Sequence, residues 1–339
     1  MALGESRRLG RVIAVLRAVG RRIVTGILTL FLITVVIFVL IQLAPGSPLA
    51  EGADDHGPQR VDPAAQAELE RLYHLDRPLH EQYALWLGAA LSGDLGRSFH
   101  DRRPVAAKIR ERFGVTLTLN GLALLSMIAL AVPLGAQSAL RPGSWLDRLS
   151  GGLAFAMYAV PVFWAALILQ ILFAVRLGWL PLAGLDAEGW ESLGPVARLV
   201  DRALHLVLPV ACLSYGGLAY LARFVRSSLL EHTAAESALA ARARGLSPLD
   251  VLLRHGFRQA ALPMLTLAGL LLPALVSGSV IVENIFAIPG LGRLFVDAAY
   301  QRDLPVLMAL TLLSGAATLV GILAADLTYV LADPRIRRG

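Results

Sequence analysis

The sequence predicts an all-α, polytopic membrane protein with six transmembrane helices. Of its 339 residues, 56% are hydrophobic and only 17% are charged, a balance outside that of soluble domains. Six stretches lack Asp, Glu, Lys and Arg, and each is long enough to cross about 30 Å of hydrocarbon as a helix. They are 23–44, 115–140, 149–175, 203–222, 259–282 and 304–325. A β-barrel is excluded because barrel strands are about ten residues long and alternate in polarity.

The first stretch is predicted to be a retained span rather than a secretory signal, since its 22 residues exceed the hydrophobic region of a signal, about 7 to 15. Arginines outnumber acidic residues before it, which predicts a cytoplasmic N-terminal segment, 1–22. The loop 223–258 and the tail 333–339 are also rich in arginine and are predicted to be cytoplasmic. Residues 23–332 then form a single transmembrane domain.

The basic character of the chain does not indicate a nucleic-acid partner. Its net charge is +6 and its pI is near 10, but the arginines lie at span ends where the positive-inside rule already places them. The only cysteine, Cys212, cannot form a disulfide within the chain.

The longest hydrophilic segment, 45–113, is predicted to lie on the extracytoplasmic side. Pro45 ends the first helix, because proline has no amide hydrogen and disfavours helix at the preceding residue. Apolar residues at helical spacing then predict two short amphipathic helices. The first set is Leu69, Leu72, Tyr73 and Leu75, and the second is Tyr83, Trp86, Leu87 and Leu91. Two interpretations stay open: a cap over the helix ends, or a platform for an extracytoplasmic binding protein.

The loop 223–258 contains its own helix signals. Residues 234–244 are rich in alanine, the strongest helix former. Gly245 suits the left-handed position just after a helix end. Ser247, Pro248 and Asp250 are typical of the N-cap and first turn of a following helix. From the residues alone, a well-capped interfacial helix and a helix that docks on a partner both remain possible.

This loop resembles the cytoplasmic loop of ABC-importer permeases. Leu239-Ala240-Ala241, three residues and Gly245 match the family's "EAA, three residues, Gly" signature, with leucine in place of glutamate. The later Leu262-Pro263 follows at an interval similar to the peptide and nickel branch. Further segments similar to that branch are Leu43 to Pro48, Leu75 to Pro78, Gln82-Tyr83, Gly93 to Phe99, Leu177 to Pro181, Glu283 to Leu294 and Asp333 to Arg337.

The resemblance implies a type I ABC importer permease fold. It also implies four kinds of partner: a second homologous permease in a heterodimer, two ATPase subunits, an extracytoplasmic solute-binding protein and membrane lipid. ATP and Mg²⁺ would bind to the ATPases, and this chain is expected to bind no cofactor. The residues expected to couple it to the ATPase are Glu236, Leu239, Ala240, Ala241, Arg242, Arg244, Gly245, Leu246 and Ser247. Small side chains at Ala240, Ala241 and Ala243 are expected to let the helix sit closely in a groove of the partner.

A second candidate site follows the fifth predicted span. Glu283 is the first charged residue after it, and Pro289, Gly290 and Gly292 predict a turn at the outer membrane face. Glu283 could line a pathway, but a carboxylate that reaches interfacial water is the commoner case. We therefore expect an outer gate or structural turn here.

Other polar residues in the spans give weaker signals. His205 and Cys212 are seven residues apart on one helix face, but two potential ligands do not make a metal site. Asp326 is expected to cap or reach toward the cytoplasmic face.

No pattern of catalytic residues is evident, so the chain is not expected to be an enzyme. It has no glycine-rich phosphate loop with lysine, and its only lysine is Lys108. The alternatives to a permease are a stand-alone channel or carrier and a membrane enzyme, but the inverted repeats and charged midplane of a carrier are not evident. Among solutes, the family favours peptides and leaves glutathione-like solutes and nickel chelates open.

Overall fold

A computed structural model describes residues 2–43, 77–234, 236–271 and 274–332. These residues are largely helical and contain no β-strand, only one isolated bridge between Arg97 and Pro104. The helices in chain order are α1 (Ala2–Leu43), α2 (Leu79–Leu91), α3 (Val105–Leu140), α4 (Trp145–Ala159), α5 (Val162–Leu169), α6 (Pro195–Thr233), α7 (Glu236–Ala243), α8 (Pro248–Val251), α9 (Phe257–Leu271), α10 (Ala274–Ser277), α11 (Val280–Ile285), α12 (Leu291–Tyr300) and α13 (Leu304–Ala332).

Four of the predicted spans are continuous apolar helices. Within the described residues, the helices long and apolar enough to cross a membrane are Gly20–Leu43, Val105–Leu140, Pro195–Thr233 and Leu304–Ala324. They coincide with the first, second, fourth and sixth predicted spans. Two of them run past the predicted membrane limits, since α3 begins ten residues before position 115 and α6 continues eleven residues beyond position 222.

The third and fifth predicted spans are helical but broken. The third is made of α4, α5 and a π-helical segment, Gln170–Arg176, and its break lies at Val160. Val160 has extended backbone (φ −87°, ψ 121°), because the ring of Pro161 disfavours helix at the preceding residue. The fifth contains α9, α10 and α11, and Gly278 between α10 and α11 has φ +73°.

The chain divides into two compact units, Met1–Phe113 with Leu294–Leu323 and Gly114–Arg293 with Ala324–Gly339. The single transmembrane domain 23–332 stays a prediction.

In the first unit, helices α1 and α13 pack closely through glycine. A Cβ added at Gly26 would collide with Leu319, and one added at Gly315 would collide with Leu30. Small residues at such crossings let two membrane helices approach each other and gain van der Waals contact.

Helix α2 packs on the same two helices. Tyr83 and Trp86 contact a buried cluster formed by Phe38, Leu304 and Met308, and the Tyr83 hydroxyl lies 2.8 Å from the Thr34 hydroxyl. The second predicted amphipathic helix is therefore confirmed, although Leu91 at its end is 82% exposed. The first predicted amphipathic helix lies outside the described residues.

The second unit contains two apolar clusters. One is formed by buried residues of α3, α5, α6 and the α11 region, including Leu119, Ala166, Cys212 and Phe286. The other joins α3 and α6 to the segment that follows the loop. This second cluster contains Leu229 and Leu252, from opposite ends of the loop 223–258. Gly256 also approaches the Thr233 side chain so closely that a Cβ would lie 3.1 Å from its methyl group.

Candidate functional site

The loop 223–258 folds as the sequence predicts. Helix α7 spans Glu236–Ala243 and is followed by Gly245 with φ +87°. The Gly245 amide donates to the Arg242 carbonyl (2.9 Å) and the Leu246 amide to the Ala241 carbonyl (3.3 Å). This pair of hydrogen bonds defines a Schellman motif, which satisfies carbonyls left free at the helix end.

The next helix, α8, begins at Pro248, three residues after Gly245. The Ser247 hydroxyl accepts a hydrogen bond from the Asp250 amide (3.1 Å), and Pro248 occupies the first helical position. The same hydroxyl lies 2.6 Å from the Asp250 carboxylate. Helix α8 is therefore capped by the predicted residues, and the turn between α7 and α8 is fixed at both ends.

The two helices share a small core. Ala238, Ala241 and Val251 are fully buried and Leu246 packs against them. Ala241 is therefore buried inside the loop, and the expectation that it lies against a partner is wrong. Ala240 and Ala243 are exposed, as that expectation requires.

The remaining coupling candidates of the loop are exposed and mixed in character. Leu239, Leu249 and Leu253 are each more than half exposed. Charged and polar coupling candidates are exposed around them, and they are Glu236, Arg242, Arg244 and Ser247. Leucine side chains exposed in this way are free to contact another protein.

The second candidate site is a turn built on Glu283. This side chain is fully buried, so the expectation that its carboxylate reaches water is wrong. It accepts hydrogen bonds from the Thr116 hydroxyl (3.0 Å), the Arg293 amide (3.0 Å) and the Ser279 amide (3.3 Å). The Thr116 hydroxyl in turn accepts from the Leu291 amide (2.7 Å).

Glycine is required where the turn meets this carboxylate. A Cβ at Gly290 would collide with the Glu283 carboxylate, and one at Gly292 would lie 2.7 Å from the Val280 amide nitrogen. Pro289 is exposed. The predicted turn residues thus lie together. Through its hydrogen bond with Thr116, Glu283 holds the segment between α11 and α12 against α3. Thr116, which no pattern singled out, completes the site.

A buried polar cluster in the first unit was not predicted. Asp303 is 1% exposed and accepts hydrogen bonds from the Ser98 hydroxyl and the Phe99 amide. Lys108 donates to the Ser98 hydroxyl (3.1 Å) and lies 2.9 Å from the Asp101 carboxylate. The one sequence feature that could have pointed to this cluster is that Lys108 is the only lysine in the chain.

The electrostatics of this cluster favour charged Asp101. Burial acts to raise the pKa of Asp101, but hydrogen bonds from Lys108 and from the Arg103 amide outweigh burial and lower it. The chain's only lysine is therefore held in a structural contact.

The weaker candidates have local partners. His205 Nδ1 lies 2.9 Å from the Asp201 carbonyl oxygen, and Cys212 is buried in an apolar cluster. Among the residues that the structure describes, no group of three His, Cys, Asp or Glu could hold a metal. The side chain of Asp326 is outside the described part.

Comparison with solved structures identifies the fold. The inward-facing structure of the MetNI methionine ABC transporter covers 67% of this chain and 97% of its own, with a TM-score of 0.53 and 19% identity. At that identity the similarity shows the fold alone, which is that of an ABC-transporter membrane subunit.

Sequence comparison identifies the family. Residues 131–338 match the binding-protein-dependent transport system inner membrane component, and residues 15–120 match the N-terminal model of the same component. The chain belongs to this family of inner-membrane permeases.

Curated relatives match over nearly the full length. The oligopeptide transport system permease protein AppB of Bacillus subtilis is 38% identical over 93% of this chain and 98% of its own. The di/tripeptide permease protein DppB of Pseudomonas aeruginosa is 36% identical over 94% and 98%. The oligopeptide permease protein OppB of Haemophilus influenzae is 33% identical over 95% and 99%.

Proposed function

We propose that this chain is the translocation subunit of an ATP-driven ABC importer for di- or oligopeptides. The observation that carries the proposal is its similarity, over 93 to 95% of its length, to permeases named for oligopeptides and di/tripeptides. In this role the chain is a transport subunit and not an enzyme.

The proposed complex contains a second homologous permease, two ATPase subunits and an extracytoplasmic solute-binding protein. ATP and Mg²⁺ bind to the ATPases, and this chain binds neither. The N- and C-termini and the loop 223–258 face the cytoplasm, an orientation that rests on the arginines of these segments.

The loop 223–258 is proposed to transmit force from the ATPase. Its Schellman turn and shared core hold α7 and α8 together as one body, on which Leu239, Leu249 and Leu253 are exposed. Closure of the ATPases would push this body and rock the paired permeases between inward-open and outward-open states. The Glu283 turn would act as a structural element of the outer gate.

Copurification tests the proposed assembly. The full chain, tagged and expressed with its partner genes, should bring down one ATPase species and a second permease. Ala240→Arg adds bulk and charge on the exposed surface and should reduce ATPase recovery, whereas the second permease should still be recovered. Recovery of the chain alone at normal membrane abundance would contradict the proposal and favour a stand-alone channel or carrier.

A further inference from the structure

The break in the third span lies near the middle of its predicted membrane crossing. Two consecutive residues between α4 and α5 have extended backbone, Val160 (φ −87°, ψ 121°) and Pro161 (φ −62°, ψ 141°). Each helix end leaves backbone groups without a partner in its own helix. At this break they are the last carbonyls of α4 and the amides of Val162, Phe163 and Trp164, the first three residues of α5.

The surrounding helices satisfy only part of these groups. The Tyr215 hydroxyl of α6 donates to the Val160 carbonyl (2.5 Å), and the Ala165 amide donates to the Pro161 carbonyl (3.1 Å). The described residues outside α5 provide no acceptor for the first three amides of α5. Ala159 and Pro161, on the two sides of Val160, are exposed. The break is therefore an exposed stretch of irregular backbone with free hydrogen-bond donors.

The break in the fifth span is enclosed by protein instead. A Cβ added at Gly278 would lie 2.7 Å from the Gly292 amide nitrogen, so two stretches of backbone are in close contact there. The Ser279 amide donates to the Glu283 carboxylate (3.3 Å). The two breaks thus differ, since the one at Gly278 is packed and hydrogen-bonded and the one at Val160 is open.

Exposed irregular backbone restricts what can lie beside it. Lipid tails supply no hydrogen bonds, so unpaired backbone at membrane depth is found only where protein buries it or where it lines a water-filled cavity. A polar solute also needs polar groups along its route, and several polar side chains of these spans are turned away from the surface. Thr116, Asn120, Ser214 and Glu283 are each 9% exposed or less. The open break supplies polar atoms that these side chains do not.

We propose that the break at Val160 and Pro161 lines the water-filled route of the solute and contacts the peptide main chain during transport. Its free amides donate to carbonyl groups, which every peptide carries whatever its side chains are. Contacts of this kind suit a route that accepts peptides of many sequences. The peptide as solute rests on the proposed function, whereas the water-filled route follows from the backbone geometry.

Cysteine reactivity measures contact with water, because a thiol surrounded by hydrocarbon stays protonated and reacts slowly with a charged reagent. Ala159→Cys and Phe163→Cys place a thiol on either side of the break in a Cys212→Ala background. Leu32→Cys is the control, since Leu32 is 52% exposed within α1, where the helix is unbroken. The complex containing the full chain is held in lipid nanodiscs, so that a positively charged methanethiosulfonate reaches both membrane faces.

The two thiols at the break should react about tenfold faster or more than Leu32→Cys, in the nucleotide-free or the ATP-bound complex. A saturating di- or tripeptide, supplied with the binding protein, should slow these two reactions and leave the Leu32→Cys rate unchanged. Recovery of the ATPase equal to that of the Cys212→Ala parent shows that each variant assembles.

Equal rates for all three thiols would overturn the route, because lipid or the second permease would then cover the break. Fast reaction that peptides do not slow, in a complex that imports peptides, would overturn the contact with the peptide main chain. Fast reaction at the break in a complex that imports no peptide would support the water-filled route while the proposed peptide function fails.

Discussion

At the residue scale, a substitution at Gly245 gives the sharpest test of the coupling proposal. Its φ of +87° is a conformation that side chains rarely adopt, and a Cβ there would meet no atom within 4 Å. A side chain at this position would therefore strain the backbone without colliding with a neighbour. For a β-branched residue, the strain should cost about 1 kcal/mol or more. We expect Gly245→Val to insert normally but to lose ATPase copurification, or to hydrolyse ATP without solute uptake.

Gly245→Asn is the matched control, because asparagine tolerates the left-handed conformation. It should retain both ATPase binding and uptake. Membrane abundance, ATPase recovery and uptake are measured together, so that misfolding is separated from lost coupling. Full uptake by Gly245→Val at normal abundance would remove this loop as the coupling element.

Glu283 gives a second residue-scale prediction. Its buried carboxylate accepts three hydrogen bonds, one of them from Thr116. Glu283→Gln replaces one acceptor oxygen by an NH₂ donor, which then faces an N–H or O–H donor of the site. This mismatch should lower the free energy of unfolding by about 1–3 kcal/mol. The thermal midpoint of the purified complex should fall. The side chain of neighbouring Asn284 is exposed, and among the described residues it donates a hydrogen bond to the Val280 carbonyl in its own helix alone, so Asn284→Ala should leave the midpoint nearly unchanged. Equal midpoints for the two variants would contradict the anchoring role.

At the element scale, the Arg226–Asp147 pair joins α6 to the start of α4. Hydrogen bonds from Arg226, then from the Gly143 amide, lower the pKa of Asp147. A carboxyl with a lowered folded-state pKa stabilises the fold above its unfolded pKa, about 3.9, and loses that contribution as the pH falls through the folded value. Arg226→Gln should therefore cost about 2 kcal/mol at pH 7 and progressively less below pH 4.

The control for this pair is Arg254→Gln. Arg254 lies 3.6 Å from Asp250, but its side chain is 73% exposed, and exposed ion pairs contribute about 0–1 kcal/mol. Thermal midpoints of both variants at pH 7 and at pH 3.5 decide the prediction. A penalty for Arg226→Gln that is equally large at both pH values would contradict the role of charged Asp147.

The loop was predictable from sequence because its signals are local. Gly245 and Ser247 act on hydrogen bonds within five residues along the chain, so composition and order are sufficient to place them. The breaks in the third and fifth spans were not predicted, although Pro161 is visible in the sequence, because membrane helices often tolerate proline.

Long-range contacts account for the rest of what sequence reasoning missed. Thr116 and Glu283 are 167 residues apart, and Ser98 and Asp303 are 205 apart. The periodicity of a helix relates residues that are close along the chain, so it does not predict contacts between positions this far apart. The burial of Ala241 likewise follows from the way α7 folds onto α8, which the alanine content alone does not specify.

At the scale of the whole molecule, the proposed orientation makes a labelling prediction. Ser92 and Arg244 are both exposed, and the chain has one native cysteine, Cys212. In a Cys212→Ala background, an impermeant thiol reagent should label Ser92→Cys in intact cells and should label Arg244→Cys only after permeabilisation. The reverse pattern would invert the topology and remove the loop 223–258 from the side of the ATPase.

The central claim is that this chain imports peptides by coupling to a separate ATPase. The most direct measurement is uptake of labelled di- and oligopeptides into proteoliposomes that hold the complete complex with its binding protein. We predict peptide uptake that requires ATP and is lost in Gly245→Val but not in Gly245→Asn. Uptake of a nickel chelate without any peptide uptake, or peptide uptake that is unaffected by removing ATP, would contradict the account.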